Sequence, residues 1–228
     1  MSESAPVITI DGPSGSGKGT LSRRLARKLG WHYLDSGALY RLLGMEVSRR
    51  QIPLEDTAAL VEAARALDIR FEDDAADEPR VFLQGEDVSN ELRSEQTGKM
   101  ASKLAAIPEV RAALMQRQRD FRQPPGLVAD GRDMGSVVFP DAELKLFLTA
   151  SLEERANRRY KQLKEKGFDI SIDDLFREIS ARDERDASRA VSPLRPADDA
   201  VVVDCSDMSI EQMVACAVDR AAEKGLVG

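Results

Sequence analysis

Val7-Ile-Thr-Ile-Asp11-Gly12-Pro-Ser-Gly-Ser-Gly17-Lys18-Gly19-Thr20 joins an apolar, β-rich run to a loop of small residues, and Leu21, Leu25 and Leu29 follow at the helical spacing i, i+4, i+8. Strand, glycine-rich turn and helix in that order form a cradle for phosphate. Glycines let consecutive backbone N–H groups face one anion, the helix N-terminus adds partial positive charge, and Lys18 reaches the β- and γ-phosphates. A turn serving only chain reversal would not need Lys18.

Working outward, four more short runs carry strand character: Trp31 to Asp35, Leu127 to Asp130, Leu144 to Thr149 and Ala200 to Cys205. Several are nearly continuous apolar runs, as parallel strands buried on both faces require. Helical patterns separate them, the last through Ile210, Met213, Val214, Ala217 and Ala221. The alternation predicts an α/β fold with a parallel sheet, and the glycine motif makes it a P-loop NTPase fold. About ninety residues between the second and third runs are too many for one crossover. They contain Ile69 to Phe71, Arg80 to Leu83 and Glu86 to Val88, which with a turn over Asp73 to Pro79 predict a small antiparallel insert at about 65–90. Two helices are expected after it, near Ser94 to Ala105 and Pro108 to Arg122, ending before Pro124, Pro125 and Gly126. The expected division is a kinase-like core of 1–37 and 123–228 and an inserted unit of 38–122.

Composition narrows the partners. Lys and Arg number 33 and Asp and Glu 40, a net charge of -7 that offers no general attraction for nucleic acid or an anionic membrane. The 42% hydrophobic content of 228 residues is enough for a sizeable core. Cys205 and Cys216 lack metal-ligand spacing and read as reduced thiols. Met1 to Pro6 lack the basic and apolar parts of a leader, and no apolar run approaches a membrane span. A cytoplasmic, monomeric protein is expected.

Phosphoryl transfer between two nucleotides brings two polyanions together, so its catalysis is largely positioning and charge neutralisation, and arginines should surround the site. They occur where strands end: Asp35-Ser-Gly-Ala-Leu-Tyr-Arg41 and Asp130-Gly-Arg132-Asp133-Met-Gly135. The plainer reading of these segments is a helix cap at Asp35 or Ser36 and a turn at Gly131. Arg155, Arg158 and Arg159, continuing to Lys161, Lys164 and Lys166, predict a helical lid over about 153–168, unless Glu153, Glu154 and Glu165 merely balance a solvated face. Arg182, Asp186 and Arg189 share a helix face at i, i+4, i+7, although Arg182 and Asp186 would also suit a surface salt bridge.

Gly19 stands where most P-loops place Ser or Thr, and the hydroxyl is delayed to Thr20; this Gly-Lys-Gly-Thr string resembles nucleoside monophosphate kinases rather than GTPases. No Asn-Lys-x-Asp box is present. Together with Leu34-Asp-Ser-Gly-Ala38, Gly85-Glu-Asp-Val-Ser89, Ala129-Asp-Gly-Arg-Asp-Met-Gly135 and the Arg182 to Arg189 segment, the chain resembles bacterial cytidylate kinases nearly end to end. The resemblance implies ATP as donor, CMP or dCMP as acceptor, and Mg²⁺ bound mainly through phosphates and water, with no protein metal site. It places Gly12, Pro13, Ser14, Gly15, Ser16, Gly17, Lys18, Gly19 and Thr20 on the donor phosphates and Ser36, Arg41 and Arg132 on the acceptor phosphate. Ser102, Arg111 and Asp133 would read cytosine, Arg182, Asp186 and Arg189 would serve the sugar and phosphates, and Asp130 is counted with the CMP-binding residues. Lys18, Arg132, Arg158 and Arg182 would stabilise the transferring group. On residue pattern alone, Ser102 and Arg111 read as an exposed helix face. A kinase for UMP, AMP or a small metabolite, or a nucleotide-binding module that signals through a partner, remain alternatives.

Overall fold

Thirty-five residues suffice to build the phosphate cradle and the strand that flanks it. Strand β1 (Val7–Asp11) is buried throughout, and helix α1 (Lys18–Leu29) turns Leu21, Leu25 and Ala26 inward before Gly30, at φ 66°, ends it by donating its N–H to the carbonyls of Ala26 and Arg27. Strand β2 (His32–Asp35) follows. The computed structural model describes residues 4–72, 79–165, 167, 170–189 and 191–227. The turn expected over Asp73 to Pro79, apart from Pro79 itself, and the Lys166 end of the basic run lie outside them.

Two units are separable. The first comprises Met1–Asp35 with Gln118–Gly228, the second Ser36–Arg117. In the first, β6 (Leu127–Gly131), β7 (Leu144–Thr149) and β8 (Val201–Asp204) join β1 and β2 in a five-stranded parallel sheet of order β2-β6-β1-β7-β8. Helices α6 (Leu152–Glu165), α7 (Ile172–Ala187) and α8 (Ile210–Glu223) complete it. Its core gathers Ile8, Ile10, Leu25, Val128, Leu146, Leu148 and Met213. Burying each of the larger side chains stabilises the fold by about 1.5–3 kcal/mol. Strand register matters most for function. Asp130 lies opposite both Ile10 and Asp35, and Asp11 opposite Gly131, so the carboxylates of three adjacent strands gather at one rim of the sheet.

In the second unit, α2 (Ser36–Arg49), α3 (Thr57–Arg65), α4 (Glu95–Leu104) and most of α5 (Pro108–Arg119) accompany a small antiparallel sheet of β3 (Ile69–Glu72), β4 (Arg80–Leu83) and β5 (Glu86–Asp87). Helices α2 and α4 approach closely at Gly44, where an added Cβ would lie 3.0 Å from Met100. Among the described residues no helix is long and apolar enough to cross a membrane.

Candidate active site

The loop after β1 can exist only with glycine at position 12, since a Cβ there would sit 2.4 Å from the main-chain oxygen of Leu148. Gly17, at φ 90°, then turns the chain into α1, whose first turn carries no acidic residue. The first N–H groups of that helix have no intrahelical acceptor and suit an anion. Gly12→Ala is expected to displace the loop and weaken ATP binding at least ~10-fold, because the obstacle is backbone on a central strand. Isothermal titration of ATP checks this; wild-type affinity would contradict it.

Lys18 extends back across the loop and donates to the Pro13 carbonyl at 3.2 Å. Desolvation, then the charges of Arg132 and Arg182, hold its ammonium well below the usual lysine range, while Asp130 and Asp35 act in the opposite sense. A polyphosphate arriving here would supply the missing negative charge.

The outer side of the loop is clasped by α6. Buried Arg155 donates to the carbonyls of Ser14 (3.0 Å) and Ala150 (3.1 Å) and pairs with Asp183 of α7 at 2.6 Å. Arg158 donates to the carbonyls of Ser16 (3.2 Å), Cys205 (2.7 Å) and Ser206 (3.2 Å) and pairs with Glu154. Arg159 donates to Gln162. The Cys205 thiol, kept protonated by burial, lies 3.2 Å from the Ser16 oxygen and 2.9 Å from that of Thr149. With these carbonyls engaged, the peptide planes of the loop are fixed before any ligand arrives.

Arg132, Arg182 and Arg189 converge on Asp186, which is 1% exposed. Arg132 Nε donates to Asp186 Oδ2 at 2.9 Å, Arg189 binds Oδ1, and Arg182 Nε lies 4.0 Å from Oδ2. Burial alone would raise the Asp186 carboxyl, but the three guanidinium groups outweigh it and hold the group below the ordinary carboxylate range. The surface salt bridge that sequence allowed is therefore a buried network. The shared helix face also needs correction: α7 ends at Ala187, so Arg189 reaches Asp186 from beyond the helix. Arg182 Nη1 further donates to Ser14 Oγ of the phosphate loop at 3.4 Å.

Asp133 is buried and leads into a π-helical turn, Met134–Val138. Asp11 anchors that turn: its two carboxylate oxygens accept the N–H groups of Met134 and Gly135, each at 2.9 Å. Burial pushes the Asp11 carboxyl up to about 7 despite these bonds, with the Asp133 charge adding to the rise. At Asp130, Tyr33 donates its phenolic O–H to Oδ2 at 2.7 Å. Neither Asp11 nor Tyr33 stood out in the sequence as a site residue; the i, i+2 spacing of Tyr33 and Asp35 on one strand was the available signal.

In the second unit, Ser36 is buried at the start of α2. Arg41 donates to the carbonyls of Leu92 (2.9 Å) and Ser94 (3.0 Å), and Gly98 leaves room for its guanidinium, 2.9 Å from where a Cβ would stand. Ser102 and Arg111 are 6% and 5% exposed, so the exposed-face reading of these two is overturned. Arg111 donates to the Ala105 carbonyl at 3.3 Å.

A family model described as cytidylate kinase matches residues 8–223. Proteins named cytidylate kinase from Aeromonas hydrophila subsp. hydrophila and Aeromonas salmonicida are each 56% identical over 224 residues, 98% of this chain and 97% of theirs. The cytidylate kinase of Photobacterium profundum is 57% identical over 227 residues, covering 98% and 99%. With a phosphate loop, an arginine network tied to it and a match over almost its whole length, the chain belongs to the cytidylate kinase family.

Proposed function

We propose that the chain transfers the γ-phosphoryl group of ATP to CMP or dCMP, giving CDP or dCDP and ADP. The observation that carries this reading is local to the first unit: the loop suited to one polyphosphate is hydrogen-bonded, through Ser14 and Arg182, to an arginine network suited to a second anion. A phosphate oxygen of the acceptor attacks the γ-phosphorus in line. The new P–O bond forms as the bond to the β,γ-bridging oxygen breaks, and ADP leaves with that electron pair. No covalent enzyme intermediate is involved and no strong general base is needed, because the attacking phosphate is already anionic near neutral pH.

In this scheme residues 12–20 hold the donor phosphates, while Ser36, Arg41 and Arg132 hold the acceptor phosphate. Arg182, Asp186 and Arg189 serve the acceptor's sugar and phosphates, Asp130 belongs to the CMP-binding set, and Lys18, Arg132, Arg158 and Arg182 stabilise charge on the transferring group. The segment at about 153–168 closes over the donor and excludes water. A magnesium ion would be carried by phosphates and water and would neutralise the donor. A monomer working in the cytoplasm completes the proposal.

Cytosine offers an amino donor at N4 and acceptors at N3 and O2, so Asp133 accepts from N4 while Arg111 donates to the acceptors. Uracil reverses two of these groups and meets a carboxylate with an oxygen. Asp133→Ala is therefore expected to lower the CMP:UMP ratio of kcat/KM by ~10²-fold or more, as pockets built on one hydrogen-bond pattern reject analogues by up to ~10⁴. An unchanged ratio would remove Asp133 from base recognition. The reaction itself is tested by steady-state ADP production with CMP, dCMP, UMP and AMP as acceptors. ATP binding without CMP-dependent ADP release would sink the kinase reading.

A further inference from the structure

The π-helical turn at Met134–Val138 takes its cap from a distant strand and not from the residue that opens it. The first N–H groups of a helical turn have no acceptor within it, and an aspartate at the N-cap position ordinarily supplies one through its side chain. Asp133 holds that position, at φ −147°, yet its carboxylate makes no capping hydrogen bond. Asp11 caps the turn instead, with Oδ1 accepting from the Met134 N–H and Oδ2 from the Gly135 N–H, each at 2.9 Å. Register explains the reach, since Asp11 ends β1 directly opposite Gly131, the end of the adjacent β6.

The main chain at Asp133 is thereby held from three sides. Its carbonyl accepts the N–H groups of Val137 (2.9 Å) and Val138 (3.3 Å), and the next two N–H groups in the chain are bound by Asp11. Beneath, the turn rests on β1 and β7: a Cβ at Gly135 would stand 2.7 Å from Thr9 Oγ1 and 3.1 Å from Cγ and Cδ of Lys145. The Lys145 stem has little room to yield, because its ammonium is tied to the Pro140 carbonyl at 2.6 Å and to Asp199 at 2.9 Å. All of these residues belong to the first unit.

We propose that Asp11 is a positioning residue for acceptor selection: by capping the turn in place of Asp133, it reserves the Asp133 carboxylate for the exocyclic amino group of the acceptor's base. The inference rests on Asp133 as the reader of cytosine N4. Asp11→Asn keeps the size of the side chain but offers one acceptor oxygen, and its amide turns a donor toward the second N–H. A buried N–H left without an acceptor is costly, and Asp133, one residue before Met134, is of the type that caps its own turn. Bound there, its carboxylate no longer accepts from cytosine.

The test is steady-state turnover of Asp11→Asn with CMP and with UMP. KM for CMP should rise roughly 10-fold and the CMP:UMP ratio of kcat/KM should fall by about the same factor. KM for ATP should stay within about twofold, because the main chain at Asp11 remains paired with both β6 and β7. In an Asp133→Ala background the same substitution should leave the ratio unchanged; a further fall would show that Asp11 does not act through Asp133. Gly135→Ala, which lifts the turn from its underside, should lower the ratio too and carries the comparison if Asp11→Asn does not fold. A merely structural role would reduce turnover of both acceptors in proportion, and a wild-type CMP:UMP ratio in the variant would overturn the proposal. Calorimetric titration with CMP and UMP repeats the comparison without turnover, so wild type that phosphorylates no nucleotide removes the kinase reading alone. Equal affinity of wild type for the two nucleotides would remove Asp133 from base recognition and Asp11 with it.

Discussion

Lys18→Ala is expected to lower kcat for CMP phosphorylation by about 10³-fold or more, the scale on which single charge-stabilising groups act in phosphoryl and acyl transfer. The loss should appear in kcat and kcat/KM together, because the lysine does most where charge spreads over the transferring group. Folding should survive. The side chain is only partly covered, its ammonium donates to the Pro13 carbonyl, and that ammonium is disfavoured by burial and by Arg132 and Arg182. Thermal unfolding should therefore occur at or slightly above the wild-type midpoint. Steady-state turnover and a melting curve on the same preparation decide it, and a variant keeping a tenth of wild-type turnover would remove Lys18 from the chemistry.

Asp186→Ala is expected to cost about 3–5 kcal/mol of stability, because it leaves Arg132, Arg189 and Arg182 facing one another without the anion they share. Activity should fall as well, since Arg132 and Arg182 would lose the anchor that aims them. The pH dependence separates charge from shape. The folded-state pKa of Asp186 is depressed, so its contribution is fully present above about pH 4, the unfolded-state range, and is lost as pH falls through the lower folded value. Asp186→Asn should thus show a lower urea midpoint at neutral pH and a shallower loss of stability below about pH 4. A midpoint and acid slope equal to wild type would refute the network's role.

Much of the central sheet was legible because strands such as Val7–Asp11 and Leu144–Thr149 are covered on both faces and so read as nearly continuous apolar runs. Helix α2 was not. Ser36, Ala38, Leu39, Tyr40, Leu42, Leu43, Met45 and Val47 are all buried, so the segment shows no polar face from which a period could be read. The π-helical turn at Met134–Val138 carries no sequence period either, and its function as a platform beside Asp133 depends on Asp11, far away in the chain. The same distinction holds at the site. The loop around Lys18 is contiguous and announces itself. The contacts of Arg132 with Asp186, Tyr33 with Asp130 and Arg155 with Ser14 join residues 54, 97 and 141 positions apart, and only strand order brings them together.

The approach of Gly12 to the Leu148 carbonyl has an evolutionary corollary. A steric conflict between two side chains can be relieved by shrinking either one, but a peptide oxygen is present whatever codon 148 specifies. In a selection for recovered growth starting from Gly12→Ala, second-site suppressors on β7 should be absent and survivors should be true revertants at codon 12. The glycine at this position is thus fixed by main-chain geometry and not by the identity of a neighbouring side chain.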